Sequence, residues 1–188
     1  MPLTKVKSLG ITDGAVIGAD IADGSVTAAK LAAGVGGKVL QVVQGTTTTI
    51  QNTSSTSFTD VLNGASTWET SITPATSGNK ILVMPTIKIG GGFGGTSESR
   101  ATIITQMKIG GGSYSDFITE SAQNSGSYDY GGSGILVYVY YGLTKLYTTS
   151  STSTHTFKFR VKTEGGTISV NQGSGSNPSF LTLFEIAS

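Results

Sequence analysis

The chain has 188 residues, a formal net charge of +1, only 12% charged residues and no cysteine. Without cysteine there are no disulfides, thiolate metal sites or thiol nucleophiles. The cations are scattered rather than clustered, which argues against a nucleic-acid surface. The 27 glycines lie among abundant Ser, Thr, Val, Ile and Tyr, and hydrophobic residues make up 37% of the chain. That composition describes a folded all-β protein with many turns rather than a disordered chain. The first five residues do not lead into an apolar run, so no signal peptide is expected. No run reaches membrane-spanning length, so no membrane insertion is expected either.

The N-terminal arm repeats. Val6, Ile11, Val16, Ile21, Val26 and Leu31 recur every five positions, and ten-residue units begin at Ile11 and Ile21. A period of five matches neither helix nor strand, and it is not a heptad. Asp13-Gly14 and Asp23-Gly24 are turn signals ten residues apart. Each unit has about two apolar residues and cannot form a core alone, so the arm must lie on another surface or wind with copies of itself. The six pentad residues are therefore the candidate anchoring and oligomerisation residues. Residues 25–31 offer one or two helical turns with Ser25 as N-cap. The glycines at 34, 36 and 37 end the arm, giving an arm over 1–37 and a second domain over 38–188. Fully extended, such an arm reaches at most about 120 Å.

Beyond Lys38 the pattern is short strands between turns. Strands are expected at 38–44, 46–51, 57–62, 67–72, 80–89, 99–109, 114–120, 135–141, 144–147, 154–162, 167–171 and 180–186. Asn63-Gly64 is a turn, and Trp68, Thr70 and Ile72 share one face. Pro85 inside the 80–89 run points to a sheet edge or a bulge. The unbroken apolar run 135–141 reads as a central strand buried on both faces, within the domain or against another subunit. In 154–162, Phe157, Phe159 and Val161 face one side and Lys158, Arg160 and Lys162 the other. This is an antiparallel β-sandwich, jelly-roll-like, with no convincing helix.

Little in the chain points to catalysis, and the protein is read as a non-enzyme with no cofactor and no metal site. The only histidine, His155, opens an alternating strand and reads as an exposed or rim residue. Asp116 and Glu120 lie four apart, which on a regular strand places them on one face, and they read as solvated. Asp13, Asp20 and Asp23 lack calcium-loop spacing and read as turn residues. The glycine run at 90–95 is not followed by the Lys-Ser/Thr of a phosphate loop. Phe93, Tyr114, Tyr128, Asp129 and Tyr130 fall in loops. Rings offer flat faces to sugars and carboxylates accept their hydroxyl protons, so these five are candidate surface-binding residues. Packing against a neighbouring subunit is the competing reading.

The arm segment 21–31 resembles the N-terminal repeats of fibre and appendage proteins of tailed phages, notably those of cyanobacteria and other marine bacteria. Three later segments, 37–43, 71–74 leading into 79–83, and 181–187, resemble the jelly-roll knobs of the same proteins. The resemblance covers nearly the whole chain. It implies a homotrimer in the virion, made in the host cytoplasm and joined to other virion proteins through its arm. Such a protein is either a tail fibre touching a host-surface glycan or a head fibre or decoration protein of architectural role.

Overall fold

In the computed structural model, residues 14, 16–27, 30, 38–91, 100–124, 137–171 and 178–188 are described. The chain divides into two units, Met1–Lys38 and Val39–Ser188.

The second unit is built from antiparallel strands in two sheets. In chain order they are β1 (Val39–Thr47), β2 (Gln51–Thr53), β3 (Thr59–Asp60), β4 (Leu62–Asn63), β5 (Ser66–Thr67), β6 (Glu69–Ile72) and β7 (Lys80–Gly91). There follow β8 (Arg100–Ile109), β9 (Ser115–Asn124), β10 (Val137–Tyr141), β11 (Lys145–Thr148), β12 (His155–Gly165), β13 (Ile168–Val170) and β14 (Ser179–Ile186). The first sheet has four positions: β1 with β2, β14 with β13, β7, then β11 with β10. The second has β3 with β6, β12, β8 and β9. The pairs are nested along the chain, first with last and so inward to β8 with β9. The chain is thus one long hairpin rolled into two sheets, the wiring of a jelly roll.

The composite strands explain most of the short elements. β4 and β5 form a hairpin that leaves the second sheet between β3 and β6. It turns at Gly64, whose φ of +63° suits a residue without a Cβ. A second break falls where β13 leaves for β14. Asn171 sits there at φ +58° and donates its side-chain amide to the carbonyls of Thr47 and Thr49, which the gap between β1 and β2 leaves free. Opposite it, the Lys88 N–H donates to Ser179 Oγ and the Asn171 N–H to the Lys88 carbonyl. Asparagine tolerates this left-handed conformation better than most residues.

Pro85 departs from expectation. It lies inside β7, paired with Leu181 of β14, not at an edge or a bulge. On the other side Tyr141 pairs with Ile87 and Lys145 with Val83. Counting two residues inward from each places Leu143 opposite Pro85 with the register unbroken. Proline has no N–H to give the ladder, so the neighbouring strand is interrupted there and splits into β10 and β11. The strand expected at 135–141 is described over Val137–Tyr141 and is not central within this chain's sheet. β10 pairs with β7 alone among the described strands, at the margin of the first sheet.

Alternation along the strands fills the space between the sheets. Leu181, Leu183, Ile81, Val83, Ile87 and Ile89 from the first sheet meet Phe157, Phe159, Val161, Ile103, Ile72 and Trp68 from the second. Trp68 packs on Phe159 with ring centroids 5.1 Å apart. As expected, Trp68, Thr70 and Ile72 share the buried face of their segment. Each fully buried large side chain contributes about 1.5–3 kcal/mol. Gly45 lets the margins of the sandwich close. A Cβ there would fall within the radius of Thr70 Oγ1 and 3.0 Å from Thr70 Cβ.

Candidate interaction surfaces

The described part of the arm is a series of turns. Gly14 and Gly24, ten residues apart and each following an aspartate, have φ of +79° and +74°. A 3-10 turn spans Gly18–Asp20, and the Asp20 carboxylate accepts the Ile17 N–H at 3.0 Å. The cap is thus an aspartate reaching backward. At the site of the expected helical turn, the Lys30 N–H bonds to the Thr27 carbonyl, and Lys30 Nζ donates to the Ser25 carbonyl. Val16, Ile21 and Val26 are all exposed, as is Ile17. Val6, Ile11 and Leu31 lie outside the described residues.

The outer face of the second sheet is charged and internally paired. Lys158, Arg160 and Lys162 project from β12. Asp60 accepts Lys158 Nζ at 3.0 Å and forms an ion pair with Arg160, whose Nε lies 3.1 Å away without hydrogen-bond geometry. Arg160 also donates to the Phe58 carbonyl at 2.6 Å, and Lys162 lies 3.6 Å from Glu164 and over the Phe58 ring. Gln106 donates to Asp116. These groups are partly exposed, so each pair contributes less than about 1 kcal/mol. Among the described side chains of this face, four cations (Lys108, Lys158, Arg160, Lys162) stand against four carboxylates (Asp60, Glu69, Asp116, Glu164).

Tyr114 belongs to this face. Lys108 Nζ and Lys158 Nζ lie 4.6 and 4.4 Å from its ring centroid. Its hydroxyl is buried beside Glu69 without a hydrogen bond of normal geometry. Burial, then the carboxylates of Glu69 and Asp60, push its pKa well above the usual tyrosine value. The other candidate loop residues, Phe93, Tyr128, Asp129 and Tyr130, lie outside the described residues. Asp116 and Glu120 do not keep the regular strand spacing that would place them together. A register shift puts Asp116 opposite Gln106 and Glu120 opposite Ile103, positions on opposite sides of β8.

The outer face of the first sheet is apolar. Val42 pairs with Phe184, Phe184 with Leu82, and Leu82 with Leu146, one row crossing all four strand positions. Val39, Leu40, Val42, Met84 and Leu146 are each 40–54% exposed, and Phe180, Phe184, Ile186 and Leu82 are half-buried. Gln44 and Thr182 bond to each other within it. These residues were not among the sequence candidates. Their signal is the loss of alternation in 80–84 and 181–186, where apolar residues occupy both faces.

Two buried polar groups lie beneath these surfaces. Glu185 is wholly enclosed, and its carboxylate accepts Asn79 Nδ2 and Gln41 Nε2 at 2.6 Å and the Ala75 N–H at 2.7 Å. Burial alone would raise its pKa, but these donors and the Thr76 backbone outweigh it and hold the carboxyl below its ordinary value. The cluster ties the loop before β7 to β1 and β14. His155 is fully buried, against expectation, because its end of β12 turns it inward beside Tyr147. Its Nδ1 lies 2.8 Å from the Ser153 carbonyl, which can only accept, so Nδ1 carries the proton. Nε2 then has a lone pair without a donor among the described residues. Burial lowers the pKa.

Among the described residues no group of three His, Cys, Asp or Glu is gathered as a metal site. No protein-family model matches the chain, and no curated protein matches it in sequence.

Proposed function

We propose that this chain is a structural protein of a tailed-phage virion, a short homotrimeric appendage whose arm anchors it to other virion proteins. The sandwich is its knob, and a host-surface glycan is the ligand class for a tail position. The observation carrying this reading is the pairing of two unlike parts. One is an arm of regular turns whose apolar residues Val16, Ile21 and Val26 stand open. The other is a jelly roll holding the whole core. An arm of this kind gains stability only when another surface removes its side chains from water, roughly 0.8 kcal/mol for each buried methylene. Assembly is the function that uses it. The Tyr114 ring is already contacted by two ammonium groups, which favours an architectural role for that residue over sugar stacking.

The test is incorporation. Ile11→Asp combined with Ile21→Asp is expected to leave the knob's thermal unfolding unchanged and to remove the protein from purified particles. Normal incorporation of that variant would overturn the reading. Averaged electron imaging of particles then separates a few copies at the tail from many copies across the capsid, the head-fibre or decoration alternative.

A further inference from the structure

We infer that the apolar outer face of the first sheet is where a neighbouring copy of this chain packs, a step that rests on the homo-oligomeric reading above. Three observations choose the occupant.

The first is area. Five aliphatic side chains, Val39, Leu40, Val42, Met84 and Leu146, are each about half open. With the half-buried Phe180, Leu82, Phe184 and Ile186 they make a patch on the order of 500 Å². That lies toward the upper end of the roughly 300–600 Å² of the largest apolar patch on a monomer, a size at which such patches are often functional, and a standard interface removes about 800 Å² from each partner, somewhat more than half of it apolar. The patch supplies the apolar share of one side of such an interface.

The second is charge. Among the described side chains of this face the lysines are Lys80 at its margin and Lys88, which is buried. A partner recognised by charge finds little here. A second copy brings an equally uncharged surface, so self-association meets almost no like-charge repulsion. The charged residues are instead gathered on the second sheet, where they pair with one another.

The third is continuity. The row Val42, Phe184, Leu82 and Leu146 crosses every strand position without a polar residue. In the adjoining row Gln44 Nε2 donates to Thr182 Oγ1 across the strands. Covering this face therefore strands few hydrogen-bonding groups.

The experiment uses the full chain and sedimentation equilibrium. Wild type is expected at a multiple of the 19.2 kDa chain mass, with association undiminished by added salt because apolar burial is not screened. Val42→Glu combined with Leu146→Glu places two charges where each side chain is already half in water, so the fold survives. Its dissociation constant is expected to rise at least 100-fold, with unchanged Trp68 fluorescence on unfolding. Ser113→Glu combined with Thr152→Glu, two exposed loop positions, adds the same charge elsewhere and is expected to keep the wild-type mass. If wild type is oligomeric and the Val42/Leu146 variant keeps that mass, this inference fails while the homo-oligomeric reading stands. If wild type is monomeric throughout, both fall. If monomeric wild type enters particles and the Val42/Leu146 variant does not, the face takes a different virion protein and the inference is overturned.

Discussion

Replacing Glu185 by glutamine keeps the shape of the side chain and removes its charge. The carboxylate accepts from three neutral donors, Asn79, Gln41 and the Ala75 N–H, inside the sandwich. An amide has one acceptor oxygen, so its NH2 group must confront either Gln41 or the pair Asn79 and Ala75. Gln41 cannot turn its own amide over without losing its bond to the Thr73 carbonyl at 2.7 Å. One donor is therefore left unpaired at about 1–3 kcal/mol, and two charge-assisted bonds become neutral at about 1 kcal/mol each, for a total of roughly 3–5 kcal/mol. For a domain of this size that lowers the melting temperature by about 6–20 °C. Trp68, the single tryptophan and fully buried, reports unfolding by fluorescence. The pH dependence follows from the lowered pKa of the folded state. The unfolded chain takes up the proton first as pH falls, so the stabilisation is complete above the ordinary glutamate pKa of about 4.3 and is lost as pH falls from there through the folded value. Glu185→Gln has no such component. The gap between wild type and variant in urea unfolding should be widest at pH 7 and narrow below pH 4. A gap constant from pH 7 to pH 3, or no gap at all, would refute the account.

His155 is the only histidine, which makes its own test clean. Its folded pKa is lowered, so the unfolded chain binds the proton first as pH falls below about 6.5, and stability should drop from there by at most about 1.4 kcal/mol per pH unit until the folded group also titrates. His155→Phe should remove that slope in paired urea titrations, and an unaltered slope would show that another group titrates. Gly45→Ala should cost about 1–3 kcal/mol through overpacking against Thr70. Thr70→Ala should recover part of this, because it removes the hydroxyl, while the 3.0 Å approach of Thr70 Cβ remains. Strict additivity in that double-mutant cycle would mean the two residues do not meet.

Where the sequence was legible, a local rule and the tertiary structure agreed. β12 has its apolar residues on one face because half of it is solvated, and its alternation is visible in Phe157, Phe159 and Val161. Gly64 marks a turn because its φ is positive. The misreadings came from rules that depend on neighbours. The run 135–141 shows that a continuous apolar stretch does not fix a strand's place in a sheet: β10 lies at the margin of the first sheet, paired with β7. Pro85 suggested an edge because a missing N–H is costly only if a partner expects it. Here the partner strand is itself broken opposite the proline, a feature of residues 142–144 that no local rule foresees. His155 sits at the end of an alternating strand, where its parity with Phe157 and Phe159 already placed it inward. Chemistry weighed against that parity gave the wrong face. A register shift falls between the positions of Asp116 and Glu120, which breaks the count of two on which the one-face reading rests.

The two sheet faces also explain why Tyr114 was legible as a special residue but not as to its role. An aromatic residue after a glycine turn looks available when only its flanks are known. Its partners, Lys108 and Lys158, come from β8 and β12, and the strand pairing that brings them together spans some fifty residues of chain. The same pairing gathers the cations of β12 beside Asp60 and Glu69, so the second sheet satisfies its own charges and asks little of a partner. The first sheet is the reverse. Its outer face gains nothing from water, and the arm preceding it presents its own open valines and isoleucines. Apolar area left open in both units is area that folding of one chain has not used, and that is why the proposed packing of copies and the proposed anchoring of the arm draw on the same physical term.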